Sequence, residues 1–204
     1  MTSCSIDEGA ILDAAAAIFA EKGFSGARVG EIAALAGVNK AMLYYRVGDK
    51  EELYRRVVLR GQQGFMKALM NSLESCSSGP ETMAAMISGI ARNAMEDRLI
   101  PSIILRELAG RGSTLPREGL QGVRGFMQIV RSTVTMGIEE GTFRSVDPVA
   151  LQFLVMGSLF TLALTTEMRE EIDPSSPGPR SADEMSTAVI DILSRGILVE
   201  GGSE

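Results

Sequence analysis

Lys40, Tyr44, Tyr45 and Arg46 crowd into one short stretch, and Lys50 follows close behind. Ammonium and guanidinium groups neutralise phosphates, and tyrosine hydroxyls reach backbone oxygens and base edges. This density of such groups reads as a nucleic-acid contact. Around them, Asn39 suits a helix cap bordering the duplex. Other chemistries lack their residues. The chain has no histidine, and its two cysteines, Cys4 and Cys76, stand far apart, which makes neither a disulfide framework nor a zinc site. They read as ordinary reduced thiols, with a redox switch as the alternative. No nucleophile–base or metal constellation is apparent, so no enzyme, cofactor or metal is expected.

A net charge of −6 argues against a DNA binder until it is divided along the chain. Between Arg28 and Arg60 stand seven basic and four acidic residues, a local +3, so everything else carries −9. A basic module on an acidic body fits a protein that touches phosphates at one end.

The elements that must aim these groups read as helices. Hydrophobic residues make up 45% of the 204, enough for a core, and β-branched residues form no strand-like alternation. The expected fold class is all-α. Periodicity predicts a first helix from about Ile6 to Lys22, stopped by Gly23, then a loop from Phe24 to Ala27. Short helices follow near Arg28–Ala36 and from Lys40 to about Val47, with Gly37 in the turn between them. A long helix runs from about Lys50 to Ser75. Pro80 opens the next, Pro101 a shorter one, and a further long helix ends at Gly141. Asp147-Pro148 begins another as cap and first-turn proline, and the last spans about Ser181 to Val199. The segment from Asp173 to Pro179 is expected to be a mobile surface loop. This makes nine helices: a three-helix head in residues 1–50 and a six-helix body in residues 51–204. The longest apolar run, from Val149 to Leu164, is short for a membrane span and contains Gln152, Ser158 and Thr161. No signal peptide opens the chain, so a soluble cytoplasmic protein with no membrane partner is expected.

Two short helices about a glycine turn form a helix-turn-helix pattern. Ala33 and Ala34 let the helices cross, and Ile32, Leu35 and Val38 anchor the turn, which frees the second helix to enter a major groove. Adjacent helical residues point about 100° apart, so one of Tyr44 and Tyr45 is expected to turn partly to the core while both offer hydroxyls. Lys40 and Lys50 are expected on phosphates. Arg55, Arg56 and Arg60 are expected as surface charges, some paired with Glu51 and Glu52.

The stretches Ile11-Leu12-Asp13-Ala14-Ala15 and Phe19-Ala20-Glu21-Lys22-Gly23-Phe24 resemble the opening helix of TetR-family regulators. Ile32-Ala33-Ala34-Leu35-Ala36-Gly37-Val38-Asn39-Lys40 and Leu43-Tyr44-Tyr45 resemble that family's turn and recognition helix, and Asp49-Lys50-Glu51-Glu52-Leu53 its fourth-helix start. The likeness covers residues 9–58 without a break. Some positions depart from it. The family's threonine cap falls at about Ala27, which leaves Arg28 to meet phosphate directly. Its cap serine is Asn39, its small glycine and threonine are Ala41 and Met42, of which Met42 can meet a thymine methyl but cannot bond phosphate, and its histidine-phenylalanine is Arg46-Val47. These changes bear on the operator sequence.

The apolar run from Val149 to Leu164 must be buried on more than one side, and Gly157, Ser158 and Ala163 permit close helix approach. The resemblance implies that the last two helices meet their symmetry mates in a four-helix bundle. That assigns Leu154, Gly157, Ser158, Thr161, Met185, Val189, Ile192 and Leu193 to a homodimer interface. It also implies a small-molecule cavity among helices four to eight. Candidate linings are Phe65, Met66, Leu69 and Met86, then Leu105 and Leu108, then Phe126, Met127, Phe153, Met156 and Phe160, although such stripes also form plain core. Arg106-Glu107 is the one charged pair in this apolar neighbourhood, read either as an internal ion pair or, through Arg106, as the partner of a ligand's polar end. The function implied is a repressor whose twin heads grip a palindromic double-stranded operator one turn apart, roughly 34–36 Å. An apolar or amphipathic effector then releases it. An activator, a ligand-independent repressor or a helical module without DNA activity would share the same helices.

Overall fold

The computed structural model describes residues 8–197, and every regular element among them is a helix. Cys4, the expected helix start at Ile6 and the expected end at Val199 lie outside the described residues. The helices are α1 (Glu8–Gly26), α2 (Val29–Leu35), α3 (Lys40–Val47), α4 (Lys50–Leu73), α5 (Gly79–Glu96), α6 (Leu99–Ala109), α7 (Arg117–Glu139), α8 (Pro148–Leu164), α9 (Thr166–Ile172) and α10 (Ala182–Ile197). That is one more than the sequence reading. The addition is α9, which leaves α8 at a bend of 70° with no glycine or proline to announce it. Thr165 and Thr166 donate their hydroxyls back to the carbonyls of Thr161 (2.7 Å) and Leu162 (3.2 Å), and such back-bonding bends helices. Among the described residues, no single helix is long and apolar enough to cross a membrane.

Contacts divide the chain into two units. The first comprises residues up to Gln63 together with Leu99–Leu120, so it holds α1 to α3, the first part of α4, and α6. Its core is built from Ile11, Ile18 and Phe19 of α1, Ile32 of α2, Leu43 and Val47 of α3, Leu53 and Val57 of α4, and Ile100 and Ile103 of α6. α6 packs along α1. The carbonyls ending α1 are met by Arg106, whose Nε donates to Ala20 (2.8 Å) and Nη2 to Glu21 (2.6 Å). Gly23, at φ 69° and ψ 172°, breaks the helical path, and a further turn to Gly26 stands where a loop was expected.

The second unit comprises Gly64–Arg98 and the chain from Gln121 onward. Within it α10 packs on α5 and α8, burying Met86, Ile87, Ile90, Val155, Leu159, Met185 and Val189. The ends of α5 and α7 approach so closely that a Cβ on Gly79 would lie 2.5 Å from the Gly137 Cα. Caps start the helices as expected: Asp147 Oδ1 accepts from the amides of Val149 and Ala150, and Pro80 and Pro148 sit in first turns. The Asp173–Pro179 segment, expected to be mobile, is fastened by Arg169, which donates to the carbonyls of Pro177, Pro179 and Leu162. Cys76 is half-buried, its thiol 3.8 Å from the Ser72 carbonyl.

Candidate nucleic-acid interface

α2 ends in a tight turn closed by two bonds, from the Gly37 amide to Ala34 (3.2 Å) and from the Val38 amide to Ala33 (2.9 Å). Gly37 stands at φ 67°, which a side chain makes costly. Asn39 then caps α3, its Oδ1 accepting from the Met42 amide at 2.8 Å, which leaves the amide N–H groups for an outside acceptor. α3 spends Leu43 and Val47, both fully buried, on the core. The remaining faces follow from helical spacing. Lys40, Ala41, Tyr44, Tyr45 and Arg46 are exposed and Met42 is half-buried. Tyr44 is 50% and Tyr45 84% exposed, so Tyr44 is the one turned partly inward, as the 100° offset requires. The stem of Lys40 crosses Gly30, where a Cβ would come within 2.7 Å of Cε; of the expected crossing pair Ala33 is buried and Ala34 exposed.

Ion pairing sorts the cations. Glu52 collects Arg55 (2.7 Å) and Arg56 (2.8 Å), and these guanidiniums, Arg55 first, hold its carboxyl at about 2, below the usual 4.5. Arg56 and Arg60 also reach Glu8 and Asp13 on α1 (2.7 and 2.6 Å). These arginines brace α4 against α1. Lys40, Arg46 and Lys50 have no carboxylate within ion-pair distance among the described residues, and Arg28 has only a longer-range attraction to Glu31, so their charge is available to phosphates. Arg28 precedes α2 in extended conformation and its side chain makes no cap.

The predicted pocket residues divide between the units. In the second, Leu69, Met86, Phe126 and Phe160 are buried, Phe65, Met66, Met127 and Met156 half-buried, and Phe65 meets Phe126 edge to face at 5.6 Å. Phe153 is 49% exposed. Leu105, Arg106 and Leu108 belong to the first unit, and Leu108 is exposed. The ion pair expected of Arg106 and Glu107 is replaced by separate partners, because adjacent helical residues face different neighbours. Arg106 takes the α1 carbonyls, and Glu107 accepts from Tyr54 and Thr114. Of the predicted dimer residues, Met185, Val189 and Leu193 are buried within the single chain, Gly157 and Ser158 are half-buried, and Leu154, Thr161 and Ile192 are exposed. Sequence reasoning missed Gln152 and Tyr54. Gln152 is buried with its Oε1 unpartnered among the described residues, and only its place in an apolar run hints at it. Tyr54 gave no signal, since it reads as one more aromatic on α4.

A short solvent-facing helix with unpaired cations and tyrosines, braced by a glycine turn, defines a helix-turn-helix DNA-binding regulator. The family profile described as bacterial regulatory proteins, tetR family, matches residues 11–57. Over that stretch the chain is similar to the DNA-binding head of the TetR family. It is 29% identical to the transcriptional repressor KstR2 of Mycobacterium tuberculosis over 138 residues, 67% of this chain and 68% of the relative. The solved ketosteroid regulator KstR2 superposes with TM-score 0.77 at 22% identity, covering 94% of this chain and 95% of that one. AibR, solved with isovaleryl coenzyme A and operator DNA, gives 0.72 at 19% identity over 90% and 96% of the two chains. FadR of Bacillus subtilis, solved with stearoyl-CoA, gives 0.70 at 20% identity over 93% and 99%.

Proposed function

We propose that the protein is a repressor that grips a palindromic operator as a homodimer and lets go when an amphipathic ligand of the acyl-CoA class enters its body. The observation that carries this reading is α3 itself: Lys40, Tyr44, Tyr45 and Arg46 stand exposed on one short helix whose other face is locked into the core. Phosphate contacts from Lys40 and Arg46 supply affinity, and Tyr44, Tyr45 and Met42 read base edges and methyls. Arg28 and Lys50 add phosphates on either side. Apolar Leu69, Met86, Phe126 and Phe160 support an apolar ligand tail, as does the likeness to folds solved with CoA esters. Exposed Leu154 and Ile192, on helices that pack together, support a second copy covering α8 and α10. Such a regulator works in the cytoplasm beside its DNA and runs no reaction of its own.

Fluorescence anisotropy on the intergenic duplex upstream of the gene tests this. Nanomolar binding that weakens steeply with salt, falls at least tenfold in Tyr44→Ala and Lys40→Ala, and is reversed by stearoyl-CoA or isovaleryl-CoA is expected. A folded protein that ignores every duplex at low salt sinks the reading. Binding that neither ester reverses sinks the ligand class alone.

A further inference from the structure

We propose that Glu107, well outside the helix-turn-helix, positions Lys50 for its phosphate contact by way of Tyr54 and Phe24. The proposal rests on reading Lys50 as a phosphate contact. Glu107 is only 8% exposed on α6, and its Oε1 accepts from the Tyr54 hydroxyl at 2.5 Å and from Thr114. Burial first, then the bond to Glu107, raises the Tyr54 hydroxyl well above the ordinary tyrosine range, so it stays a donor. The Tyr54 ring is thereby held edge-on to Phe19 (4.8 Å) and tilted against Phe24 (5.1 Å). Lys50 Nζ lies over the Phe24 ring, 4.8 Å from its centroid, and its one neutral anchor is the Ser25 carbonyl at 3.5 Å. An ammonium held by a ring face and a carbonyl keeps its charge and remaining protons for an outside anion. Arg106, beside Glu107, holds the carbonyls of Ala20 and Glu21, just ahead of the Gly23 break that leads to Phe24.

The cost of the arrangement shows what it is for. Glu107 Oε2 is buried with no partner among the described residues, which is unfavourable. A buried polar group kept at such a cost specifies geometry more than stability. The geometry at stake is that of a lysine whose four-carbon stem otherwise wanders.

The test measures operator affinity against salt for the full chain, using a duplex the protein itself selects from a random pool. Glu107→Leu and Tyr54→Phe should each flatten the log–log salt slope by about one per bound protomer, as Lys50→Ala does. Adding Lys50→Ala to either should flatten it no further, and Glu107→Gln, which keeps an acceptor for Tyr54, should recover most of what Glu107→Leu loses. A purely structural role would lower melting temperature and leave the slope alone. Wild-type slopes in both variants, or a full extra loss on adding Lys50→Ala, overturn the proposal. If Lys50→Ala leaves the slope of the otherwise native protein intact, the phosphate reading of Lys50 falls and takes the positioning with it. Should Glu107→Leu fail to fold, Tyr54→Phe, which keeps the ring, decides alone.

Discussion

At the scale of single residues, charge on the DNA-binding unit has two uses, and helical spacing already separates them in the sequence. Arg55 and Arg56 stand three and four residues after Glu52, both are bound to it, and their hydrogen bonds, that of Arg55 first, hold its carboxyl at about 2 instead of 4.5. A carboxyl depressed by folding contributes stability that is fully present above about 4.5. That contribution is lost as pH falls from there toward 2, because the unfolded chain binds its proton first. Thermal melts of the wild type should therefore drop more steeply across this window than those of Glu52→Gln. Parallel melting curves would mean that solvent screens the pairs into irrelevance, as it does for many exposed ion pairs.

At the scale of elements, the turn between α2 and α3 sets the angle of everything that touches DNA. Gly37 sits at φ 67°, and a Cβ there would meet nothing within 4 Å. The cost of Gly37→Ala is thus purely conformational, about 1–2 kcal/mol. Asparagine tolerates this region better, so Gly37→Asn should melt higher than Gly37→Ala, a difference that calorimetry reads directly. Equal losses would mean that the turn relaxes around any side chain. This part of the molecule was legible because its signals are local: a cap at Asn39, a glycine turn, and the buried spacing of Leu43 and Val47 all lie within one stretch, and α3 begins and ends where they place it. The bend between α8 and α9 was not legible, since no glycine or proline marks it, and two threonine hydroxyls bond back across it instead. Nor was the allegiance of α6. Its apolar stripe reads the same against any core, and only tertiary contact brings Ile100 and Ile103 into the core built on α1.

At the scale of the whole molecule, α8 faces two ways. Leu151, Val155, Leu159 and Ala163 form its buried stripe, spent within the chain. Phe153 and Leu154, 49% and 52% exposed, lie off that stripe, and α10 adds Ile192 at 69%. Sequence marks both helices as apolar but does not divide each between core and outer face, so Met185, Val189 and Leu193, expected at an interface, are buried within the chain. The proposed dimer therefore rests on the residues still exposed. A charge at a position this open costs a lone chain no more than about 0.5 kcal/mol, whereas in a packed twofold interface it faces its own copy and stays desolvated. Leu154→Glu combined with Ile192→Glu should then leave the melting of the monomer nearly unchanged while sedimentation reports a mass near 21.8 kDa, that of one chain. Operator affinity should fall by about a hundredfold or more, because two heads on one dimer bind with an effective concentration that separate heads lack. A double variant that sediments as a dimer and still holds the operator would place the partner contact on another face of the molecule.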